Sequence, residues 1–432
     1  MVKLNHHNRR SASTFTLIAA ITALPAAASA HAATAADTWV LRGTKVYVAP
    51  DRAPIVDGVV VVRGSKIAAV GTKESVKIPS GARESSCSGG IVTAGFQNSH
   101  VHFIGETWNA AGTQPAAELS KKLANMLTRY GYATVFDIAS DRDNTLAMRA
   151  RIVRGEVQGP RIMTAGLPIF PHKGLPAYID HLPRDFIDRM PQPANAEDAV
   201  KVVRENISAG AEATKLFLVT PQGRGVVKRM PADIARAAAD ETHRRGGLVF
   251  AHPTDMEGVE QSLAAGVDIL AHTTHGVETP WPDALQKKAV GSGMTLIPTL
   301  KLMGYELKKE DVPPDIAARL IAASVAHTRA YAQAGGQILF GTDVGYMSDF
   351  DPTEEYVLMA KAGMTPAQIL ASLTTTPAAR WKESQRRGTV TANLDADLTV
   401  LDADPFTDAA NFSKARCTIS GGKTVYPLAD AR

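Results

Sequence analysis

The sequence predicts an α/β fold: a (β/α)8 TIM-like barrel joined to a small discontinuous β-sandwich built from both termini. Three observations carry this. Eight apolar, strand-like runs alternate with helical patterns through the middle of the chain, the signature of a parallel sheet. Residues 38–103 and 388–426 share a texture rich in Val, Ile, Gly and Thr that the middle lacks. Polar, metal-competent side chains fall at or near the C-terminal ends of the runs, the end where barrel chemistry gathers. A count of eight favours a closed barrel over an open, doubly wound sheet. The 432 residues suffice for one large domain and a smaller one.

The first element is a leader. Lys3, Arg9 and Arg10 form a basic start, Ser13 to Leu24 a short apolar stretch, and Ala28-Ser29-Ala30 a small-residue cleavage site, with Ala30-His31-Ala32 as a second. This predicts a secretory signal peptide over residues 1–30 and an exported, periplasmic protein. The stretch is too short for a stable span, and no later segment approaches the roughly 20 apolar residues a spanning helix needs. His6 and His7 leave with the leader. A net charge of +4, with 21% charged and 45% hydrophobic residues, is ordinary for a globular enzyme and gives no reason to expect a nucleic-acid partner.

The sandwich is expected over 38–90 plus 385–428. Its strands are W-V-L-R-G-T-K-V-Y-V, I-V-D-G-V-V-V-V-R-G-S-K-I-A-A-V-G, D-L-T-V-L-D and C-T-I-S-G-G-K-T-V-Y. The two cysteines, Cys87 and Cys417, both fall in these segments. They are either two unrelated thiols or, in an oxidising compartment, a clamp on the discontinuous domain. The barrel is expected over 91–384. Its eight runs are 91–103, 133–139, 161–166, 213–218, 247–252, 269–273, 295–299 and 338–343. Helices are expected at Ala116–Tyr130, Asn144–Glu156, Ala196–Ala209, Pro231–Arg245, Met256–Ala265, Pro282–Gly291, Asp315–Ala334 and Thr365–Leu373.

Run one ends in His100-Val101-His102. Strand side chains alternate, so the two histidines share a face and form a chelating pair. Run four carries Lys215, run five ends in His252, run six carries His272 and run eight ends in Asp343. Any one has a bland reading: a hydrogen-bonded core histidine, a snorkelling lysine, a helix-capping aspartate. Together at one barrel mouth they offer imidazole nitrogen and carboxylate oxygen, the donors zinc takes. Lys215 is anomalous as a bare cation in an apolar strand. Addition of carbon dioxide to its neutral amine gives an anionic carbamate able to bridge two metals, and burial favours the neutral amine.

These residues resemble the amidohydrolase superfamily, in its imidazolonepropionase-like and Xaa-Pro or Xaa-Arg dipeptidase-like branch. The resemblance rests on I-V-D-G-V-V-V-V-R-G, G-F-Q-N-S-H-V-H, A-T-K-L-F-L, H-P-T-D-M-E-G-V-E-Q-S-L-A-A-G-V-D-I-L-A-H, L-F-G-T-D-V-G and T-T-T-P-A-A-R, and covers nearly the whole mature chain. It implies two divalent metal ions, zinc by default. His100, His102 and Asp343 would hold the inner ion, His252 and His272 the outer, and carbamylated Lys215 would bridge them. It implies hydrolysis of an amide, peptide or cyclic amide bond by metal-activated hydroxide, with Asp343 as general base and then acid. Asn98 stands where members carry Asp, and G-L-P-I-F-P-H-K replaces a G-G-H-G stretch, with His172 in the histidine's place.

Specificity belongs to the loops after the strands. His172 and Tyr178 follow run three, Arg224 and Lys228 follow run four, His275 follows run six and Tyr346 follows run eight. The basic loop either grips a substrate carboxylate or is a solvated turn. The expected partner is a small molecule, with a homo-oligomer left open. The same metal site would also serve an ester, lactone, carbamate or phosphotriester. A Schiff-base lyase using Lys215 leaves the four histidines unexplained, and an inactive binding protein predicts lost ligands.

Overall fold

The computed structural model describes residues 37–179, 182, 184–223, 225–274 and 281–428. The leader, Arg224 and His275 lie outside the described residues.

Alternating β-branched residues form the first strands. β1 (Thr38–Val46), β2 (Ile55–Arg63) and β3 (Lys66–Thr72) make an antiparallel meander. β4 (Arg83–Glu84) and β5 (Gly90–Ala94) both lie parallel to β1. The other end of the chain then returns. β16 (Leu398–Leu401) pairs with β5, β17 (Ala415–Ser420) with β16, and β18 (Lys423–Tyr426) with β17. The two terminal segments thus share one hydrogen-bonded path of strands, β18-β17-β16-β5-β1-β2-β3, with β4 on β1. Period-2 alternation buries both faces. Val60 and Val62 pack with Leu41, Val92 and Val400, while Val59 and Val61 pack with Val40 and Val76. Cys87 and Cys417 are joined by a disulfide with Cα atoms 5.9 Å apart.

The middle holds eight parallel strands in chain order. β6 (Phe96–Val101), β7 (Tyr132–Asp137) and β8 (Arg161–Thr164) form one sheet. β9 (Ala213–Phe217), β12 (Leu248–His252), β13 (Ile269–Ala271), β14 (Thr295–Ile297) and β15 (Gln337–Ile338) form another. A hairpin of β10 (Val219–Gly223) and β11 (Val226–Arg229) follows β9. The eight runs therefore appear as sheets of three and five rather than one closed sheet. Backbone hydrogen bonds cross both gaps. Glu212 N donates to Thr164 O at 2.8 Å and Ile169 N to Lys215 O at 2.9 Å; on the other side Ser99 N donates to Phe340 O at 2.8 Å. Ladder pairing stops where the chain leaves extended geometry, at Gly166 (φ 71°) after β8 and Asp343 (φ 63°) after β15.

Helices return the chain between strands. α1 (Ala116–Met126), α2 (Arg142–Val153), α4 (Ala196–Ala209), α5 (Ala232–Arg244), α6 (Met256–Ala265), α7 (Asp283–Gly291), α9 (Pro314–Gln333) and α11 (Pro366–Leu373) lie within four residues of the expected bounds. Asp141, Asn195 and Asp255 cap three of them by accepting hydrogen bonds from first-turn N–H groups, and Thr365 with Gln368 makes a capping box. Four helices were not expected: α3 (Arg184–Ile187), α8 (Leu300–Lys309), α10 (Thr353–Lys361) and α12 (Thr375–Arg380). Among the described residues no helix is long and apolar enough to cross a membrane.

Alternation sorts each parallel strand. Val101, Val135, Leu216, Val249, Ala251 and Leu270 pack outward in the large core cluster. Phe136, Ala213, Phe250, Ile269 and Ile297 point the other way and fill a second cluster with Leu339 and Trp381. Continued along that inner face, the same period brings His100, Lys215 and His252 inward.

Candidate metal centre

The inner faces end at a cavity of about 690 Å³ whose lining includes His100, His102, Lys215, His252, His272 and Asp343. All six are buried, with exposures from 0% for His100 to 9% for His252. Residues 243 positions apart in sequence thus meet, because β6 lies beside the segment after β15. Asp343 N donates to His100 O at 2.9 Å.

Two of the six escape the period-2 rule. Ala271 already faces the interior, so His272 would point outward in a regular strand. It turns back because its backbone is left-handed, with φ 88°. Asp343 (φ 63°) and Thr299 (φ 45°) turn in the same way after their strands. Non-glycine residues rarely adopt this conformation, and it costs on the order of 1 kcal/mol or more at each. With Thr254 (φ 62°), which lines the cavity, four such residues mark a strained rim.

His100, His102 and Asp343 bring one donor atom each within 4.8 Å of one another. His102 Nε2 lies 2.7 Å and His100 Nε2 3.2 Å from Asp343 Oδ1, and the two Nε2 atoms are 3.1 Å apart. Yet Asp343 Oδ1 has no hydrogen bond of acceptable geometry. This buried oxygen lacks a partner although two imidazole nitrogens crowd it, as ligands of a common cation do. His272 Nε2 lies 3.8 Å from Asp343 Oδ2. The His272 ring centroid is 4.7 Å from that of His100 and 4.8 Å from that of His252. Phe217 stacks on His252 at 5.1 Å, and Lys215 Nζ lies 5.1 Å from the same phenyl ring.

The surrounding bonds set which nitrogen faces the cavity. Thr299 Oγ1 donates its single proton to Pro298 O at 2.8 Å, so it accepts from His272 Nδ1 at 2.7 Å. That leaves the His272 Nε2 lone pair toward the cavity. His102 Nδ1 likewise meets Ala139 O at 3.2 Å, where it donates. Asn98, in place of the family's Asp, bonds Thr342 Oγ1 at 2.7 Å and accepts from His100 N at 3.1 Å. It braces the ligand strand and does not reach the cavity lining.

Electrostatics favour the ligand forms. Burial lowers His100 to about 4 against the pull of Asp343. Burial, reinforced by His100 and His252, holds His272 well below its usual range. Burial raises Asp343, but His100 and His102 more than offset it and keep the carboxyl well below its ordinary value. Burial brings Lys215 down to about 7, so near neutrality much of it is the free amine, the form able to attack carbon dioxide. Neutral His100 and His272 and an ionised Asp343 beside His102 fit a divalent cation.

The expected substrate contacts divide. Tyr178 and Tyr346 line the cavity, with rings 5.8 Å apart, edge to face. His172 does not: it is exposed, its Nδ1 at 3.1 Å from Gln192 O. Lys228 is exposed as well. The loop's apolar residues turn inward instead, with Phe170, Ile179, Phe186 and Met190 packed around Phe217. The sequence reading missed Glu306, which lines the cavity from α8. Its signal was the helical spacing of Leu300, Met303 and Leu307.

No curated protein matches the chain. Solved structures do. A Xaa-Pro dipeptidase with methionine bound in its active site shares 19% identity and a TM-score of 0.74, covering 90% of this chain and 99% of that one. Molinate hydrolase shares 19% identity and a TM-score of 0.74, covering 92% and 97%. An ochratoxinase from A. niger shares 18% identity and a TM-score of 0.71, covering 90% and 95%. At such identities the likeness is one of fold. The sequence profile of the amidohydrolase family matches residues 91–425. The chain is a hydrolase of carbon–nitrogen bonds and belongs to the amidohydrolase family.

Proposed function

We propose that the chain is a binuclear metal-dependent hydrolase that cleaves an amide or cyclic amide bond of a small molecule. The convergence of one donor atom each from buried His100, His102 and Asp343 carries this reading. These three would hold one divalent cation, zinc by donor chemistry. His252 and His272 would hold a second, and Lys215 as its carbamate would bridge them. Such a pair lowers the pKa of water and polarises a carbonyl. Asp343 takes the proton of the attacking water at its carboxylate and returns it to the leaving nitrogen. The tautomers of His102 and His272 are fixed by Ala139 O and Thr299 Oγ1. The apolar residues around Phe217 exclude bulk water.

The eight parallel strands read as one barrel that starts at β6 rather than at residue 91 and runs to 384, and the terminal sheet, which takes in β5, reads with 385–428 as a second domain. The disulfide supports an oxidising compartment, in keeping with residues 1–30 as an export signal.

Elemental analysis of the purified protein tests the site. About two divalent ions per chain are expected, and a chelator abolishes turnover of a panel of amides, esters and lactones. Lys215→Ala lowers the ion content, and short carboxylic acids partly restore it. Turnover that survives chelation overturns the reading.

A further inference from the structure

The proposed chemistry uses six polar side chains at the floor of the cavity. A seventh polar group in the same cavity has no part in it. Glu306 faces the cavity from α8 among Leu302, Met303 and Leu307, opposite Ile316 and Leu320 of α9. Its Oε1 atom is buried and has no hydrogen-bond partner. Burial raises the carboxyl above its usual range, and Tyr346 and Lys309 draw it partly back. Lys309 reaches the Tyr346 hydroxyl at 3.1 Å and lies 5.2 Å from that ring's centroid. Tyr178 and Tyr346 complete the wall, and both sense the charges of Glu306 and Asp343.

A buried carboxylate oxygen without a donor is costly, and a ligand that supplies a donor there recovers the cost. Apolar walls strip water from whatever binds and so strengthen a charge pair formed between them. The Tyr178 ring beside the carboxylate also favours a cation, while the Lys309 ammonium already lies over the Tyr346 ring. A second anion placed there would be repelled. We propose that Glu306, with Tyr178 and Tyr346, forms a specificity subsite for a cationic nitrogen at the end of an apolar substrate arm. An ammonium, amidinium or guanidinium group fits this chemistry, and a carboxylate at the same position is rejected. The inference rests on the hydrolase reading of the floor and names the substrate class for it.

The test uses three amides with one common scissile bond and one common apolar arm. The arm ends in an ammonium, a methyl or a carboxylate group. With the metal-loaded protein, kcat/KM is expected to fall in that order. The ammonium compound should exceed the carboxylate by about tenfold or more, a factor worth about 1.4 kcal/mol, chiefly through KM. In Glu306→Gln the ammonium-to-carboxylate ratio should collapse toward one, and in Glu306→Lys it should invert. A purely structural role would lower all three rates together and leave the ratio alone. Equilibrium binding of the same three compounds is measured in parallel. A wild-type ratio near or below one, or a ratio unmoved by Glu306→Gln, overturns the subsite. If none of the amides is cleaved yet binding follows charge as described, the subsite stands and the hydrolase reading falls.

Discussion

Asp343 is asked to do two things: complete a chelating trio and carry a proton. Asp343→Asn keeps the side-chain volume and one carbonyl oxygen but removes the basic oxygen. Turnover is expected to fall by about 10²–10⁴-fold, the usual contribution of a positioned acid–base group. The circular dichroism spectrum should stay close to wild type. A variant that retains its kcat removes the proton-carrying role. At this scale the sequence was a good guide where chemistry is unusual in its setting. Four histidines and a lysine in apolar runs, with an aspartate at the end of another, stood out as a set though each alone has an ordinary reading. His172 and Glu306 show the reverse. His172 was placed by analogy of position, but the loop after β8 carries it to the surface. Glu306 was passed over because a glutamate near Lys308, Lys309 and Glu310 looks like any solvated turn. Only the packing of α8 turns it inward.

The legible elements were those with a clean period. β9 and β12 are regular, so Lys215 and His252, read in the sequence only as lying at or near strand ends, fall on the inner face. His272 could not, because a single left-handed residue reverses the face and no composition signals it. α8 was missed because it begins directly after Pro298 and Thr299 without a capping side chain of its own. Its cap comes from another element. Glu355 of α10 is fully buried and accepts from Lys301 N at 2.8 Å in the first turn of α8. Burial lifts this carboxyl from 4.5 to about 7, with the Lys301 and Leu300 amides pulling it back. The folded state therefore binds the proton more tightly than the unfolded chain. The sign follows: the neutral acid costs nothing extra below about pH 4.5, and stability is lost as pH rises toward about 7. The loss is roughly 3 kcal/mol once the group is ionised. Glu355→Gln keeps the acceptor oxygen and removes the titration. Its unfolding free energy should gain on wild type by about that amount between about pH 5 and about pH 8. His100 titrates over part of this window with the opposite sign, and comparing the two proteins at each pH cancels it. A constant difference across the range would remove Glu355 as the titrating cap.

The whole molecule depends on the chain ends meeting. β5 runs directly into β6, so the sheet made by the termini feeds the first ligand strand. On the far side, buried Arg387 joins Asp395 at 2.9 Å and Glu383 at 3.1 Å, tying the last helical turns to the returning strands. The shared texture of the two ends made this partnership legible in the sequence. Sheet order and the pairing of the cysteines were not legible, because both depend on which strand edges meet. The disulfide locks the same arrangement covalently, linking positions 330 apart within one apolar cluster. Cross-linking so long a segment restricts the unfolded chain far more than the folded one. Reduction, or Cys87→Ser with Cys417→Ser, should lower the unfolding free energy by about 2–4 kcal/mol in urea titrations. Neither cysteine lines the cavity, so kcat below the unfolding transition should be unchanged. Intact protein should also resist alkylation at both positions until a reductant is added. If both sulfurs react without reductant, or if reduction leaves the urea midpoint in place, the terminal sheet is held by its ladder and apolar packing alone.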